Sequence, residues 1–372
     1  MADLALALNV GSSSLKFRAA PMADPETGAA WGRIERIGSD GANLKISAQG
    51  ATETREIPVA THEDAVRIAA EALTRALPDA RVAAVGHRIV HGGPDFTRPV
   101  EIDTGVLSRL ETLVPLAPLH VPAGIAGIKG AERAFDTARQ IACFDTAFHA
   151  GKPWVHDAFA LPQQFYDEGI RRYGFHGISC QSITRALRAE GYPLDDRRLA
   201  IAHLGNGASV TAVLNGRGHA SSMGFSTIDG LAMGTRSGRI DPGVLFYLHD
   251  RGMTQAQIED LLYRKSGLLG LSGLSNDMRD LMASDDPAAV RAVEYFVARA
   301  VEEIARLAAT MGGLDTVVFC GGIGENAGEI RDRIAAGLTF LPGQGDGVEI
   351  LTRETREEEE ILRAVAELCG HS

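Results

Sequence analysis

With 372 residues, 45% of them hydrophobic and 23% charged, the chain is long enough for two cores and too apolar to stay disordered. A net charge of −11 argues against nucleic-acid or anionic-membrane binding, so any phosphate site has to be assembled locally. Cys143, Cys180, Cys320 and Cys369 stand far apart with no CxxC pair, which fits reduced packing residues rather than a disulfide frame or a zinc site.

The chain opens with Asp3 and reaches polar Asn9 within a few residues, which predicts no secretory signal. No apolar run is long enough to span a bilayer, and a cytoplasmic location is expected. Leu4, Leu6 and Leu8 alternate with alanines, the pattern of a strand buried on both faces. A turn of one glycine and three serines follows in NVGSSSLKF (9–17), after which Leu15 to Arg18 resume strand character. Its N–H groups and hydroxyls suit a phosphate, with Lys16 adding a point charge. Taken alone, the same residues read first as an ordinary hairpin turn.

Residues 24–56 are polar and glycine-punctuated, predicting short antiparallel strands that turn at Gly38–Gly41 and Gly50. Thr61 reads as the N-cap of a helix carrying Ala65, Ile68, Ala69, Ala72, Leu73 and Leu77, with Pro78 just beyond it. RVAAVGHRIVHGG (81–93) is a buried strand ending in Arg88, His91 and paired glycines. From Asp103, Val106, Leu107, Leu110 and Leu113 mark a second amphipathic helix. VPLAPLHVPAG predicts irregular chain before a helix over 125–135, and 140–144 is an apolar strand running into FDTAFH. Residues 150–178 are irregular and aromatic-rich, contain RRYGFHG at 171–177, and lead into a helix over 179–190.

LAIAHLGNGASVTAVLNGRG, from Leu199, repeats the opening pattern: a buried strand, a polar glycine turn with Asn and Ser, then a second strand. An internal duplication is therefore expected, its second half beginning near 150–200. Two related halves, each with a phosphate-type turn, predict a nucleotide clamped between two domains. GFSTIDGLAMGTRSGRIDPG is glycine-dense and carries Arg236, Arg239 and Asp241. Helices are predicted over 254–263 and 287–311, the latter with Val290, Val293, Phe296, Val297, Val301, Ile304 and Leu307 as a core stripe. TVVFCGGIGENAGEIRDRIAAGL reads as strand, glycine loop and a helix opening near Asn326. It matches neither a P-loop nor a dinucleotide GxGxxG. The last segment, TREEEEILRAVAELCG, is a helix with an acidic start.

In order, NVGSSSLKF, GHRIVHGG, FDTAFH, RRYGFHG, HLGNGAS, MGTRSG, SNDMRD and GGIGEN resemble the acetate kinase family over nearly the whole length. The resemblance implies an α/β fold of two duplicated RNase H-like domains, of the actin, Hsp70 and sugar kinase type, with mixed sheets and a central nucleotide cleft that closes. The domains are expected at 1–147 plus 358–372, and at 148–357. The implied reaction is reversible transfer of the ATP γ-phosphoryl group to acetate, giving acetyl phosphate and ADP with Mg²⁺ (or Mn²⁺). A carboxylate needs no strong base. The obstacle is bringing two anions into line, so positioning and positive charge should dominate.

The resemblance further implies catalytic roles for Arg88, Asp145, His176 and Arg236. Arg88 and Arg236 would clamp carboxylate and phosphoryl, His176 would donate to a phosphoryl oxygen, and Asp145 would orient the carboxylate or a metal-bound water. Asn9, Ser12, Ser14, Lys16, His203, Leu204, Gly205, Asn206 and Gly207 would surround the phosphates. Asp277, Met278, Arg279, Gly322, Ile323, Gly324 and Asn326 would take the base and ribose. Val90, Leu119 and Phe175 would line the acyl pocket. Asn9 and Glu357 would serve the metal, with Glu358 the alternative to Glu357. A homodimer is implied as well, with no nucleic-acid or membrane partner.

Where the family usually has Asp, Thr, His and Pro, this chain has Arg239, Ile178, Cys180 and Thr227; Val121 and Gly124 replace asparagines. None of these removes a proposed charged residue, but they bear on acyl-chain preference. A methylene is worth only ~1–3 kcal/mol in a pocket, so propionate or butyrate remains the alternative acceptor. A nucleotide-driven switch of the actin or Hsp70 type is the alternative from another class.

Overall fold

The computed structural model describes residues 2–118, 120–341 and 347–370. The backbone divides into two compact units. Unit 1 comprises Met1–Ala147, Gly177–Ser182 and Arg356–Ser372, and unit 2 comprises Phe148–His176 and Ile183–Thr355.

Unit 1 carries β1 (Ala2–Val10), β2 (Ser14–Pro21), β3 (Ala30–Glu35), β4 (Asn43–Ala48), β5 (Ala51–Glu56), β6 (Ala80–Ile89), β7 (Val100–Glu101) and β8 (Arg139–Phe144). They form one sheet in the order β5-β4-β3-β2-β1-β6-β8-β7. β1 to β5 run as an antiparallel meander, while β6 lies parallel to β1 and β8 parallel to β6. The opening alternation explains how the sheet is covered. Leu4, Leu6, Leu8 and Val10 face a core with Ala65, Val66, Ile68, Ala69 and Leu73 of the His62–Ala76 helix. Ala5 and Ala7 face the other way, with Ala84, toward Ile361, Leu362 and Val365 of the Glu357–Leu368 helix. That second face is made of small residues, so the terminal helix lies close to the strands. Gly86 continues it: a Cβ there would stand 2.4 Å from Ile361 Cγ2 and 2.6 Å from Val365 Cγ2.

Unit 2 carries β9 (Arg198–Leu204), β10 (Ala208–Leu214), β11 (Arg217–Ser221), β12 (Thr316–Cys320) and β13 (Glu349–Thr352) in the order β11-β10-β9-β12-β13. β9, β10 and β11 are antiparallel, and β12 runs parallel to both β9 and β13. This repeats the β3-β2-β1-β6-β8 portion of the first sheet strand for strand. The duplication read from two hairpins is thus a duplication of topology.

Three local expectations change. The helix placed at 125–135 spans Val121–Ala134, because Pro122 is acceptable in a first turn that needs no N–H from it. GGIGEN is not a loop but the short helix Gly321–Asn326, followed by a second helix, Gly328–Ala336. Gly321 enters it at φ 75°, where a Cβ would meet the Leu204 carbonyl at 2.8 Å. On the Pro287–Thr310 helix the buried seam runs through Ala289, Ala292, Val293, Phe296, Ala300, Ile304 and Leu307. Val290 is instead 44% exposed, and Val297 and Val301 are half-buried, because alanines hold the close-packed positions. Among the described residues no helix is long and apolar enough to cross a membrane.

Gly86→Ala should lower unfolding stability by about 1–3 kcal/mol, the usual cost of overpacking, in a urea or thermal melt. An unchanged midpoint would mean that the terminal helix is not seated on this face.

Candidate active site

In unit 1, parallel pairing sets Arg88 opposite Cys143 and Ile89 opposite Phe144, and the Asp145 N–H donates to the Ile89 carbonyl at 2.9 Å. Arg88 and Asp145 therefore meet at the C-terminal ends of neighbouring parallel strands, where α/β sheets characteristically bind ligands. Arg88 donates to Asp145 Oδ2 from Nε at 3.0 Å and from Nη2 at 2.6 Å, and to Asn9 Oδ1 from Nη1 at 3.0 Å. Nη1 also lies 3.3 Å from Glu357 Oε2. Asn9 turns its amide nitrogen to Glu357 Oε2 at 2.9 Å and to Glu358 Oε1 at 2.8 Å. The Ser179 hydroxyl donates to the other oxygen of Glu357.

Burial opposes the Arg88 charge, but Asp145, Glu357 and Glu358 outweigh it and raise its pKa, so the guanidinium stays protonated. Asp145 is 1% exposed. Burial pushes its pKa above the ordinary carboxylate value, against the pull of Arg88. Its Oδ1 is buried without a full hydrogen bond, although the Ile178 N–H lies near enough to favour the charged form.

The serine turn hangs from the same strand as Asn9. Gly11 N–H donates to the Ser14 carbonyl at 2.8 Å, Ser12 and Lys16 are exposed, and Ser14 is half-buried. His62 Nε2 donates to the Gly11 carbonyl at 2.9 Å. Nothing in the sequence singled out His62 or Ser179 for these contacts, since each is ordinary in its local segment.

In unit 2, the β9–β10 hairpin pairs Leu204 with Ala208 and leaves Gly205, Asn206 and Gly207 as its turn. His176 precedes the Gly177–Ala189 helix in the left-handed region at φ 57° and ψ 28°. Its Nδ1 is 2.9 Å from Ser209 Oγ, and its ring stacks on His203 at 4.3 Å and 21°. The other side of the imidazole faces the turn: a Cβ on Gly207 would stand 3.4 Å from His176 Nε2 and 3.9 Å from Arg236 Nη1. Arg236 donates to the Thr227 carbonyl at 3.0 Å, a backbone contact that Pro would supply equally. Asn206 packs over Gly234, where a Cβ would fall 2.0 Å from Asn206 Oδ1. Arg239 ties to the buried carboxylate of Glu303 at 2.5 Å, so that departure from the family pattern has its own partner.

A cavity of about 510 Å³ opens beside this turn, within the usual range for small-molecule sites. Gly205, Asn206, Asp277, Met278, Arg279, Gly322, Ile323 and Asn326 line it, joined by Asn276, which lies in SNDMRD but was not singled out, and by Met282 and Ala327, which lie outside the motifs. Leu204 and Gly324 are buried and are not part of its lining. Asp277 receives Arg279 Nε at 3.0 Å and Nη2 at 2.5 Å. That pairing, with the Arg279 N–H, lowers the Asp277 pKa to about 2. Of the acyl-pocket residues, Val90 is half-buried after β6 in unit 1 and Phe175 is buried in unit 2. Leu119 lies outside the described residues. Among the described residues no group of three or more His, Cys, Asp or Glu is placed to ligate a metal directly.

The Acetokinase family pattern matches residues 4–362. The acetate kinase of Methylocella silvestris is 49% identical over 357 residues, covering 92% of this chain and 88% of that relative. The crystal structure of Porphyromonas gingivalis acetate kinase superposes with a TM-score of 0.86 at 34% identity, covering 99% of this chain and 100% of the other. A propionate kinase from Francisella tularensis gives a TM-score of 0.89 at 33% identity, covering 98% and 99%. The two duplicated mixed sheets are those of the acetate and sugar kinase, Hsp70 and actin fold. The chain belongs to the acetokinase family, kinases that transfer a phosphoryl group to a carboxylate.

Proposed function

We propose that the chain catalyses reversible transfer of the γ-phosphoryl group of ATP to acetate, giving acetyl phosphate and ADP. The observation that carries this reading is the Arg88 cation, held in place by Asp145, Asn9 and Glu357 at the strand ends. Acetate is favoured as acceptor because the relative at 49% identity is named an acetate kinase, whereas the propionate kinase match stands at 33%.

Residue roles follow from charge and geometry. Arg88 and Arg236 would oppose the negative charge of the acceptor and of the transferring group, as permanently charged planar forks. His176, tied through Nδ1 to Ser209, would donate from Nε2 to a phosphoryl oxygen. Asp145 fixes the orientation of Arg88. Asn206 and Gly207 would meet phosphate, and Ser12, Ser14 and Lys16 would do so from the serine turn. The cavity would hold adenosine, with the Asp277–Arg279 pair at its wall serving ribose and base.

The donor set around Asn9 fits Mg²⁺. It is all oxygen, three carboxylates surround one guanidinium, and Asp145 Oδ1 is a buried acceptor still short of a full partner. Asp145, Glu357 and Glu358 would hold the ion largely through water, as befits a set that does not close on a metal by itself. Bound Mg²⁺ would neutralise phosphate charge.

A cytoplasmic homodimer completes the reading. The Pro242–Asp250 helix buries none of its residues and exposes Phe246 at 69% and Tyr247 at 59%, an apolar face suited to a second copy of the chain.

With ATP and a series of short carboxylates, hydroxylamine should trap the acyl phosphate as its hydroxamate, releasing phosphate, with the highest kcat/KM for acetate. A higher value for butyrate would sink the acetate assignment, and ATPase activity without any hydroxamate would favour a nucleotide switch. Arg88→Ala and Arg236→Ala should each lower kcat by roughly a hundredfold or more with ATP binding largely kept. Arg88→Lys serves as the control for the buried charge that Arg88→Ala leaves unpaired on Asp145. Wild-type turnover in either alanine variant refutes that residue's role. Phe246→Asp should shift the protein toward monomer in sedimentation, and an unchanged mass would place the interface elsewhere.

A further inference from the structure

We infer that His149, which closes the FDTAFH segment, is a positioning residue that sets the aim of His176. The inference rests on the proposed role of His176 at the transferring phosphoryl group.

His176 sits in a backbone region that side-chain-bearing residues rarely adopt, so something must hold it there. The three residues before it show what does. His149 Nε2 donates to the Phe175 carbonyl at 2.9 Å. Gly174 is itself left-handed at φ 80°, and a Cβ there would stand 2.6 Å from the His149 ring. The Tyr173 carbonyl accepts from Lys152 Nζ at 3.3 Å, and Lys152 also donates to the His149 carbonyl at 3.2 Å. On the opposite edge, the Tyr173 and Gly174 N–H groups donate to the Gly224 carbonyl at 2.9 and 3.3 Å.

The circuit closes on itself. The Lys152 side chain, 4% exposed, lies 2.7 Å from Asp157 Oδ1; Asp157 Oδ2 accepts from Tyr166 at 2.8 Å, and its carbonyl accepts from the Arg172 N–H at 2.7 Å. The chain from Arg172 to Phe175 is thereby pinned by side chains and by backbone. His149 is 1% exposed, and burial, reinforced by the Lys152 charge, holds its pKa near 3. It is neutral, and since a carbonyl only accepts, its proton is on Nε2. The bond to Phe175 is therefore a fixed one. With Phe175 held, the left-handed turn at His176 puts Nδ1 on Ser209 and turns Nε2 toward Gly207.

The test is a four-protein cycle, wild type, His149→Leu, His176→Ala and the double variant, with kcat and KM for ATP measured by hydroxamate trapping. His149→Leu should lower kcat by about tenfold to a hundredfold, the cost of misplacing a reacting group by an ångström, with KM for ATP changed less than about threefold. In the His176→Ala background the same substitution should lower kcat no further. His149→Gln, whose amide N–H reaches toward the same carbonyl, should recover most of the loss. Where His149→Leu does not fold, Lys152→Met removes the donor to Tyr173 and should also lose kcat only while His176 is present. Equal losses in both backgrounds, or wild-type kcat in His149→Leu beside an inactive His176→Ala, would overturn the inference alone. Wild-type turnover in His176→Ala would overturn the role of His176 and the inference with it.

Discussion

A largely buried guanidinium organises unit 1. Removing a charge from water costs several kcal/mol even after relaxation, and only close, well-directed partners offset it. Arg88 obtains those partners from three separate parts of the chain: Asn9 on β1, Asp145 at the end of β8, and Glu357 at the start of the terminal helix. Each constrains an element. β6 must lie beside β1 and β8 in register, and the terminal helix must approach until its first residue reaches the strand ends. The alanine face of β1 and β6, with Gly86, is what makes that approach sterically feasible. A packing feature of the sheet and an electrostatic feature of the site are thus one arrangement.

Unit 2 repeats five strands of that order and assembles its candidate residues differently. Glycines bring backbone close to candidate side chains: Gly207 beside His176, Gly234 beneath Asn206, and Gly321 against Leu204 and His203. The groups brought together there are a turn, an imidazole and an arginine held by a carbonyl, in contrast to the ion-pair network around Arg88. Duplicated topology supplied two hairpins with different chemistry, a serine turn with Lys16 on the strand after it in one, Asn206 between two glycines in the other.

The residues that depart from the family pattern are absorbed locally. Arg239 pairs with Glu303, which Arg306 also holds at 2.8 Å, so a buried carboxylate on the long helix is neutralised from two sides. Thr227 contributes a carbonyl to Arg236, which any residue could supply. Cys180 is buried in the first turn of the helix that follows His176.

Much was legible in the sequence because it is local or periodic. Alternating leucines and alanines marked a strand buried on two faces, Thr61 and Asp103 marked helix starts, and the echo of NVGSSSLKF in HLGNGAS marked the duplication. The motifs in order carried the family and most of the cavity-lining residues. What they could not carry were contacts across long sequence distances. That Asn9 meets Glu357 and Glu358 depends on which strands neighbour one another and on how close a helix can lie, and periodicity encodes neither. The helical turn in GGIGEN, Met282 in the cavity wall, the ring of His149 under Gly174 and the left-handed posture of His176 are of the same kind. The sequence by itself determined most of the elements and the repeat, because these rest on local backbone preference and residue type, and it determined the reaction class through the family resemblance that its ordered motifs carry. Only the tertiary structure decided which side chains share a proton, a charge or a cavity wall, because those depend on sheet register and packing distance.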